Sequence, residues 1–147
     1  IELSVPLINW ENIDVILGIE AMGLPLMAPL SMRTNIPMVI ARKREYGLEG
    51  EIEINQETGY SKGSIFLNDI KPGEKIAIID DVLSTGGTIR SVIEGVKRTG
   101  ALIKNIVVVV EKGPGMELLQ NDYPDIKFDS LVKLEMDGGK VVILDRK

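Results

Sequence analysis

Two adjacent carboxylates, Asp80 and Asp81, directly follow the apolar run Ile76-Ala77-Ile78-Ile79, and after Val82-Leu83 comes the small-residue stretch Ser84-Thr85-Gly86-Gly87-Thr88. Ionised carboxylates only accept hydrogen bonds, so a pair of them at a strand end is suited to holding sugar hydroxyls. Small residues let successive backbone N–H groups curl around an anion, and Thr85 and Thr88 add hydroxyl donors. A helix starting there contributes the positive end of its dipole. Acceptors for hydroxyls beside donors for a phosphate describe a sugar-phosphate site. Neither G-x-x-x-x-G-K-[ST] nor G-x-G-x-x-G occurs, so nucleoside triphosphate and dinucleotide readings lack their main signal.

Other residues join this group. Gly18-Ile19-Glu20-Ala21-Met22-Gly23 reads as strand, tight turn and helix, with glycines that let backbone amides approach an anion. Arg42 and Lys43 follow a second strand end and are expected to face the same crevice as cations. Val107 to Val110 ends in Glu111-Lys112-Gly113. A lysine ammonium donates hydrogen bonds and accepts none, so Lys112 would favour a carbonyl oxygen over an amino group.

The elements that position these residues follow from patterning. Val15 to Ile19, Ile76 to Ile79 and Ile103 to Val110 are apolar, β-branched and without polar alternation, as expected of strands buried on both faces of a parallel sheet. Pro37 to Ala41 is a shorter strand. Leu24 to Arg33 and Thr88 to Thr99 have helical patterns, the second with Ile89, Val92, Ile93 and Val96 on one face and Gly100 as its stop. Strand, helix, strand, insertion, strand, helix, strand is the order of a doubly wound α/β domain with a mainly parallel sheet. The insertion, residues 45–69, alternates polar and apolar residues at 51–54 and 64–67 between Gly-rich ends, predicting a two-stranded flap over a site.

Composition narrows the chemistry. The chain of 147 residues has length for one domain, residues 1–147, with the flap inside it. With no Cys and no His, disulfides, thiolate or imidazole metal sites, a cysteine nucleophile and a Ser-His triad are excluded. A net charge of −5 argues against nucleic-acid binding, and no apolar run of membrane-spanning length occurs. The chain opens at Ile1 with no charged leader, so a cytoplasmic protein that has lost an N-terminal piece is expected.

Ile76 to Thr88 resembles the phosphoribosyl-pyrophosphate signature of type I phosphoribosyltransferases, and the resemblance extends along nearly the whole chain, most closely to the archaeal hypoxanthine/guanine enzymes, which are themselves similar to adenine phosphoribosyltransferases. It implies that fold, with a flexible β-flap and a small base-covering hood. Asp80 and Asp81 would hold the ribose hydroxyls, and Ser84, Thr85, Gly86, Gly87 and Thr88 the 5-phosphate. Glu20, Ala21, Met22 and Gly23, with Arg42 and Lys43, would hold pyrophosphate. Lys112 would read the 6-oxo group of a purine, and Leu131, within Phe128 to Leu134, would pack on its face. Lys62, in the flap stretch Tyr60 to Gly63, would cover the reaction. Mg²⁺ is implied as cofactor, carried by pyrophosphate and ribose with Asp80 or Asp81 reaching it through water. The substrates implied are 5-phosphoribosyl-1-pyrophosphate and hypoxanthine or guanine, and the assembly a homodimer.

Adenine is the alternative base, and a regulator that senses phosphoribosyl pyrophosphate without catalysis is the alternative class. Several hypoxanthine/guanine enzymes carry an aspartate as proton acceptor where this chain has Ser84, and adenine enzymes draw an acid from the flap where the register gives Gly59, with Glu57 nearby. The general base is therefore unassigned.

Overall fold

A computed structural model describes residues 1–57 and 62–147, with Gln56, Glu57 and Lys62 described by their backbone alone. Tyr60 and Ser61, and with them the expected cover by the Lys62 side chain and the acid sought at Glu57 or Gly59, lie outside the described residues.

Buried apolar runs form the centre of the sheet. Strand β1 (Val15–Ile19) is buried along its whole length, as is β5 (Lys75–Leu83) from Ile76 to Asp80, and β6 (Leu102–Lys112) carries the third run. With β2 (Met38–Ala41), β7 (Lys127–Asp137) and β8 (Lys140–Arg146), they make a six-stranded sheet of order β2-β1-β5-β6-β7-β8. Every pairing is parallel except β7 with β8. The chain passes from β1 outward to β2, then returns to lay β5 on the other side of β1 and proceeds to β6 and β7. The order therefore reverses between β1 and β5, and in such sheets ligands bind beyond the carboxyl ends of the two strands at that point.

Helices cover both faces, as the doubly wound reading expected. Helix α1 (Leu24–Thr34) packs Met27 and Leu30 onto Ile16, Ala77, Ile79 and Val107. Gly18 lets it approach closely: a Cβ there would stand 2.3 Å from Met27 Sδ. Helix α2 (Gly87–Thr99) buries Ile89, Val92, Ile93 and Val96 against the opposite face with Ile76, Ile78, Ile106 and Val108. It ends where Gly100 takes φ 82°, a left-handed conformation that costs glycine little. Helix α3 (Gly115–Asp122) joins the same face through Met116 and Leu119.

The insertion forms the antiparallel hairpin β3 (Ile52–Glu57) and β4 (Lys62–Leu67). Alternation works as read: Ile54, Ile65 and Leu67 enter the core on the α2 side. The seat on α2 is a glycine. A Cβ on Gly95 would fall 1.9 Å from Ile54 Cδ1, so glycine lets the Ile54 side chain lie directly on the helix, and a larger residue would make it move. Arg98 adds a hydrogen bond from its guanidinium to the Glu53 carbonyl, 2.9 Å.

The sequence reading omitted α3 and β8 and took β7 only as a base-covering segment. Asp137-Gly138-Gly139-Lys140 is a hairpin turn with both glycines at positive φ, and β8 adds an edge strand whose Val141, Val142, Ile143 and Leu144 are exposed. The start of the chain makes two short 3-10 turns, Val5–Leu7 and Trp10–Asn12, pinned by the Trp10 indole N–H donating to the Val5 carbonyl.

Candidate active site

The sheet's reversal brings the two predicted turns together. Gly18 lies opposite Ile79, so Glu20, just past the end of β1, and Asp80-Asp81 near the end of β5 emerge at the same end of the sheet. The turn from Glu20 to Gly23 closes with the Gly23 N–H donating to the Ile19 carbonyl, 2.8 Å, and the Glu20–Ala21 peptide is cis. A Cβ on Gly23 would stand 2.5 Å from Ile19 N and 2.9 Å from the Ile79 carbonyl oxygen, so the turn fits into the β1–β5 junction only as glycine. Glu20 is not free: its carboxylate accepts from the Lys43 N–H at 2.7 Å, which ties this turn to the end of β2. Ala21 and Met22 are exposed at the tip.

Asp80 is buried, at 7% exposure, and Asp81 half-buried. Burial is the main cause that pushes the Asp80 carboxyl up to about 7, with the neighbouring Asp81 charge acting in the same direction, against a backbone hydrogen bond at Asp81 and the Lys43 ammonium. A carboxylate raised in this way is poised to gain from hydroxyl donors or a cation supplied by a ligand. Beyond it Val82 presents an exposed apolar side chain, which the sequence reading passed over although it sits inside the motif.

The small-residue stretch forms a turn around a hollow of about 60 Å³ lined by Val82 through Ile89. Gly86 takes φ 83° and its carbonyl receives the Arg90 N–H at 2.9 Å, so the turn runs straight into α2 and offers the helix's N-terminal amides. Helix α3 props the turn from behind. The Gly115 N–H donates to the Ser84 carbonyl at 2.8 Å, and a Cβ on Gly115 would lie 2.3 Å from that oxygen. Gly115 is thus a supporting residue that sequence reasoning missed; its only signal was the Gly113-Pro114-Gly115 punctuation after β6.

Two expected site groups have surroundings that local spacing did not show. Arg42, expected with Lys43 to face the crevice, lines a cavity together with Glu20 but is buried, and its charge is matched: Nη2 pairs with the Glu51 carboxylate and donates to Asn68 Oδ1 at 2.7 Å, while the Tyr46 ring lies 4.0 Å from Cζ. A buried arginine needs such partners, and they were invisible in local spacing. Lys112 and Leu131, both expected at the base, stand apart along neighbouring strands. Lys112 is exposed at the end of β6, opposite Leu134, three residues beyond Leu131, which is roughly 10 Å along a strand. Leu131 is buried and lines a cavity of about 420 Å³ with Glu111, Met116 and Phe128. There Glu111 accepts from Ser130, 2.9 Å, and pairs with Lys133, 2.9 Å, whose ammonium is held charged to higher pH by that hydrogen bond.

A mainly parallel sheet that reverses at β1 and β5, with paired carboxylates and a glycine turn leading into a helix at that point, defines a doubly wound α/β protein. Residues 6–138 match the phosphoribosyl transferase domain model, and the chain belongs to that family. It is 51% identical over 137 residues to the hypoxanthine/guanine phosphoribosyltransferase of Methanotorris igneus, covering 93% of this chain and 74% of that protein. The protein of that name from Methanocaldococcus jannaschii is 49% identical over 136 residues, covering 92% and 74%. Among solved structures, the adenine phosphoribosyltransferase of Thermoanaerobacter pseudethanolicus superposes with a TM-score of 0.76 at 26% identity, covering 90% of this chain and 77% of that one. That of Leishmania tarentolae, at 24% identity and TM-score 0.73 over 82% of this chain and 62% of its own, shares the fold.

Proposed function

We propose that the chain is a purine-salvage enzyme that transfers the phosphoribosyl group of 5-phosphoribosyl-1-pyrophosphate to hypoxanthine or guanine, giving inosine or guanosine monophosphate and pyrophosphate. The observation that carries this is the Asp80-Asp81 pair leading through Val82-Leu83 into the glycine turn at the sheet's reversal point. The two archaeal relatives named as hypoxanthine/guanine enzymes support the choice of base, as does the exposed Lys112 ammonium at a strand end.

In the reaction the bond from C1 of the ribose to pyrophosphate breaks, the bond from C1 to a ring nitrogen forms, and that nitrogen's proton leaves. The protein's task is to hold the two reactants in line and stabilise the charge on the departing group. Asp80 and Asp81 accept from the ribose hydroxyls and fix the sugar. Backbone amides of Ser84 to Thr88 and the start of α2 hold the 5-phosphate. The turn from Glu20 to Gly23, with Lys43 beside it, receives the pyrophosphate. Ser84 does not readily take a proton at neutral pH, so the acceptor lies outside this turn.

The residues present fit a magnesium ion. Among the described residues no cluster of three or more acidic side chains could cage a metal, while Asp80 and Asp81 offer carboxylate oxygens at an open strand end. That donor set suits an ion held mainly by substrate oxygens and water, with a carboxylate reaching it through water. Mg²⁺ when bound supplies positive charge to the leaving pyrophosphate.

We further take residues 1–147 as one domain that includes the hairpin, acting as a homodimer in the cytoplasm. Among the described residues no helix is long and apolar enough to cross a membrane. The test is to incubate the protein with Mg²⁺, phosphoribosyl pyrophosphate and each of guanine, hypoxanthine, xanthine and adenine, and to assay nucleotide. Nucleotide from guanine and hypoxanthine is expected. Nucleotide from adenine alone overturns the choice of base, and tight phosphoribosyl-pyrophosphate binding with no product from any base makes the chain a sensor instead.

A further inference from the structure

Arg42 lies where a pyrophosphate ligand was expected, yet its side-chain hydrogen bonds run to the two roots of the hairpin. Glu51 immediately precedes β3 and Asn68 immediately follows β4, so the Nη2 group that engages both spans the two roots of the hairpin. The backbone repeats the connection: Arg42 N–H donates to the Phe66 carbonyl at 3.0 Å and the Phe66 N–H returns to the Arg42 carbonyl at 2.7 Å. Glu51 in turn gathers the intervening loop, accepting from the Tyr46 N–H at 3.1 Å and the Gly47 N–H at 2.9 Å.

On its other side the same segment is fastened to the turn after β1. Glu20 N–H donates to the Ala41 carbonyl at 2.9 Å, and the Glu20 carboxylate accepts from Lys43 N–H at 2.7 Å. Residues 41–43 therefore join the turn proposed to receive pyrophosphate to both roots of the hairpin. A planar guanidinium presents donors in a fixed fork, which holds two acceptors at a set angle in a way a lysine ammonium does not.

We infer that Arg42 is a positioning residue that clamps the hairpin β3–β4 to the turn after β1, and is not itself a ligand of pyrophosphate. This rests on the phosphoribosyl-transfer reading for its catalytic consequence, but its structural part stands apart from it. The role of the clamp is to fix the roots of the hairpin and the turn after β1 relative to one another, so that the turn proposed to receive pyrophosphate keeps its shape. The rival is a pyrophosphate oxygen meeting Arg42 Nε, which is buried without a partner.

Arg42→Lys and Asn68→Ala separate the two, because Asn68 touches the clamp and has no part in the rival. Under the clamp, both variants lower kcat about fivefold or more, while KM for phosphoribosyl pyrophosphate and the Kd of inorganic pyrophosphate change by less than about twofold. Both also speed amide exchange at Ile52–Asn55 and Ser64–Leu67 about tenfold relative to β5. A role in stability alone would lower Tm without moving kcat of the folded protein, and that result overturns the inference. So does Arg42→Lys weakening pyrophosphate about tenfold while Asn68→Ala alters neither binding nor exchange. A wild-type protein with no turnover defeats the functional reading, and the exchange comparison then decides the clamp by itself.

Discussion

The junction of β5 with α2 and the junction of β2 with the hairpin each bury a charge, and they treat it in opposite ways. Arg42 meets Glu51, Asn68 and an aromatic ring, so its charge is balanced inside the protein. Asp80 meets another carboxylate, and its pKa rises to about 7. A compensated buried charge serves the architecture; an uncompensated one stores a preference for something that arrives from outside. By this criterion the β5–α2 junction is the one proposed to hold a ligand, and the β2–hairpin junction the one proposed to hold the surrounding structure still.

The largest effect should come from Asp81→Asn. Loss of charge-assisted bonds to the ribose is expected to lower kcat/KM by about 100-fold, with far-ultraviolet circular dichroism unchanged. An unfolded variant would show the pair to be structural, which erases the contrast. Asp80→Asn sharpens it through pH. Because the folded pKa is raised, Asp80 contributes stability below its ordinary value of 3.8 that is lost as pH climbs through about 7. The amide should thus stabilise the protein at pH 8 by about 2 kcal/mol, discounted from the full linkage value for residual solvation, and the gain should vanish near pH 4. Denaturant midpoints at the two pH values check this, and equal gains at both would mean that the carboxylate pair is not the cause.

Gly95→Ala probes the hairpin side. Helix propensity alone favours alanine by about 1 kcal/mol, but the clash with Ile54 should reverse the sign, to a loss of about 1–2 kcal/mol. Adding Ile54→Ala should make the alanine at 95 favourable again; its failure to do so removes the notch from the account. The smallest effect is at Lys112, where Lys112→Ala should cut kcat/KM for guanine and hypoxanthine by about threefold to tenfold, on the order of 1 kcal/mol, and leave phosphoribosyl-pyrophosphate binding alone. Parallel steady-state assays with both bases show whether this holds.

How far the residues alone disclosed these junctions depends on whether the information is contiguous. Asp80 to Thr88 was legible because strand, carboxylates, turn and helix start occur in thirteen consecutive residues counted from Ile76. The hairpin was legible because alternation at 51–54 and 64–67 has the strand period. The clamp was not, since Arg42 lies nine residues from Glu51 and 26 from Asn68, and no periodicity links them. Gly115 likewise supports a turn some thirty residues earlier, and glycine in a Gly-Pro-Gly run reads as a loop until its Cβ position is built. Strand β8 was missed for another reason: its apolar residues are exposed, so burial does not explain their pattern.

The contrast between the two junctions is tested most directly by calorimetric titration of Mg²⁺ and phosphoribosyl pyrophosphate into the wild type, Asp81→Asn and Asn68→Ala. The account predicts affinity lowered by about 30-fold or more in Asp81→Asn and within about twofold of wild type in Asn68→Ala. Unchanged binding in Asp81→Asn together with a large loss in Asn68→Ala would contradict it, because the ligand would then be held at the junction assigned to architecture.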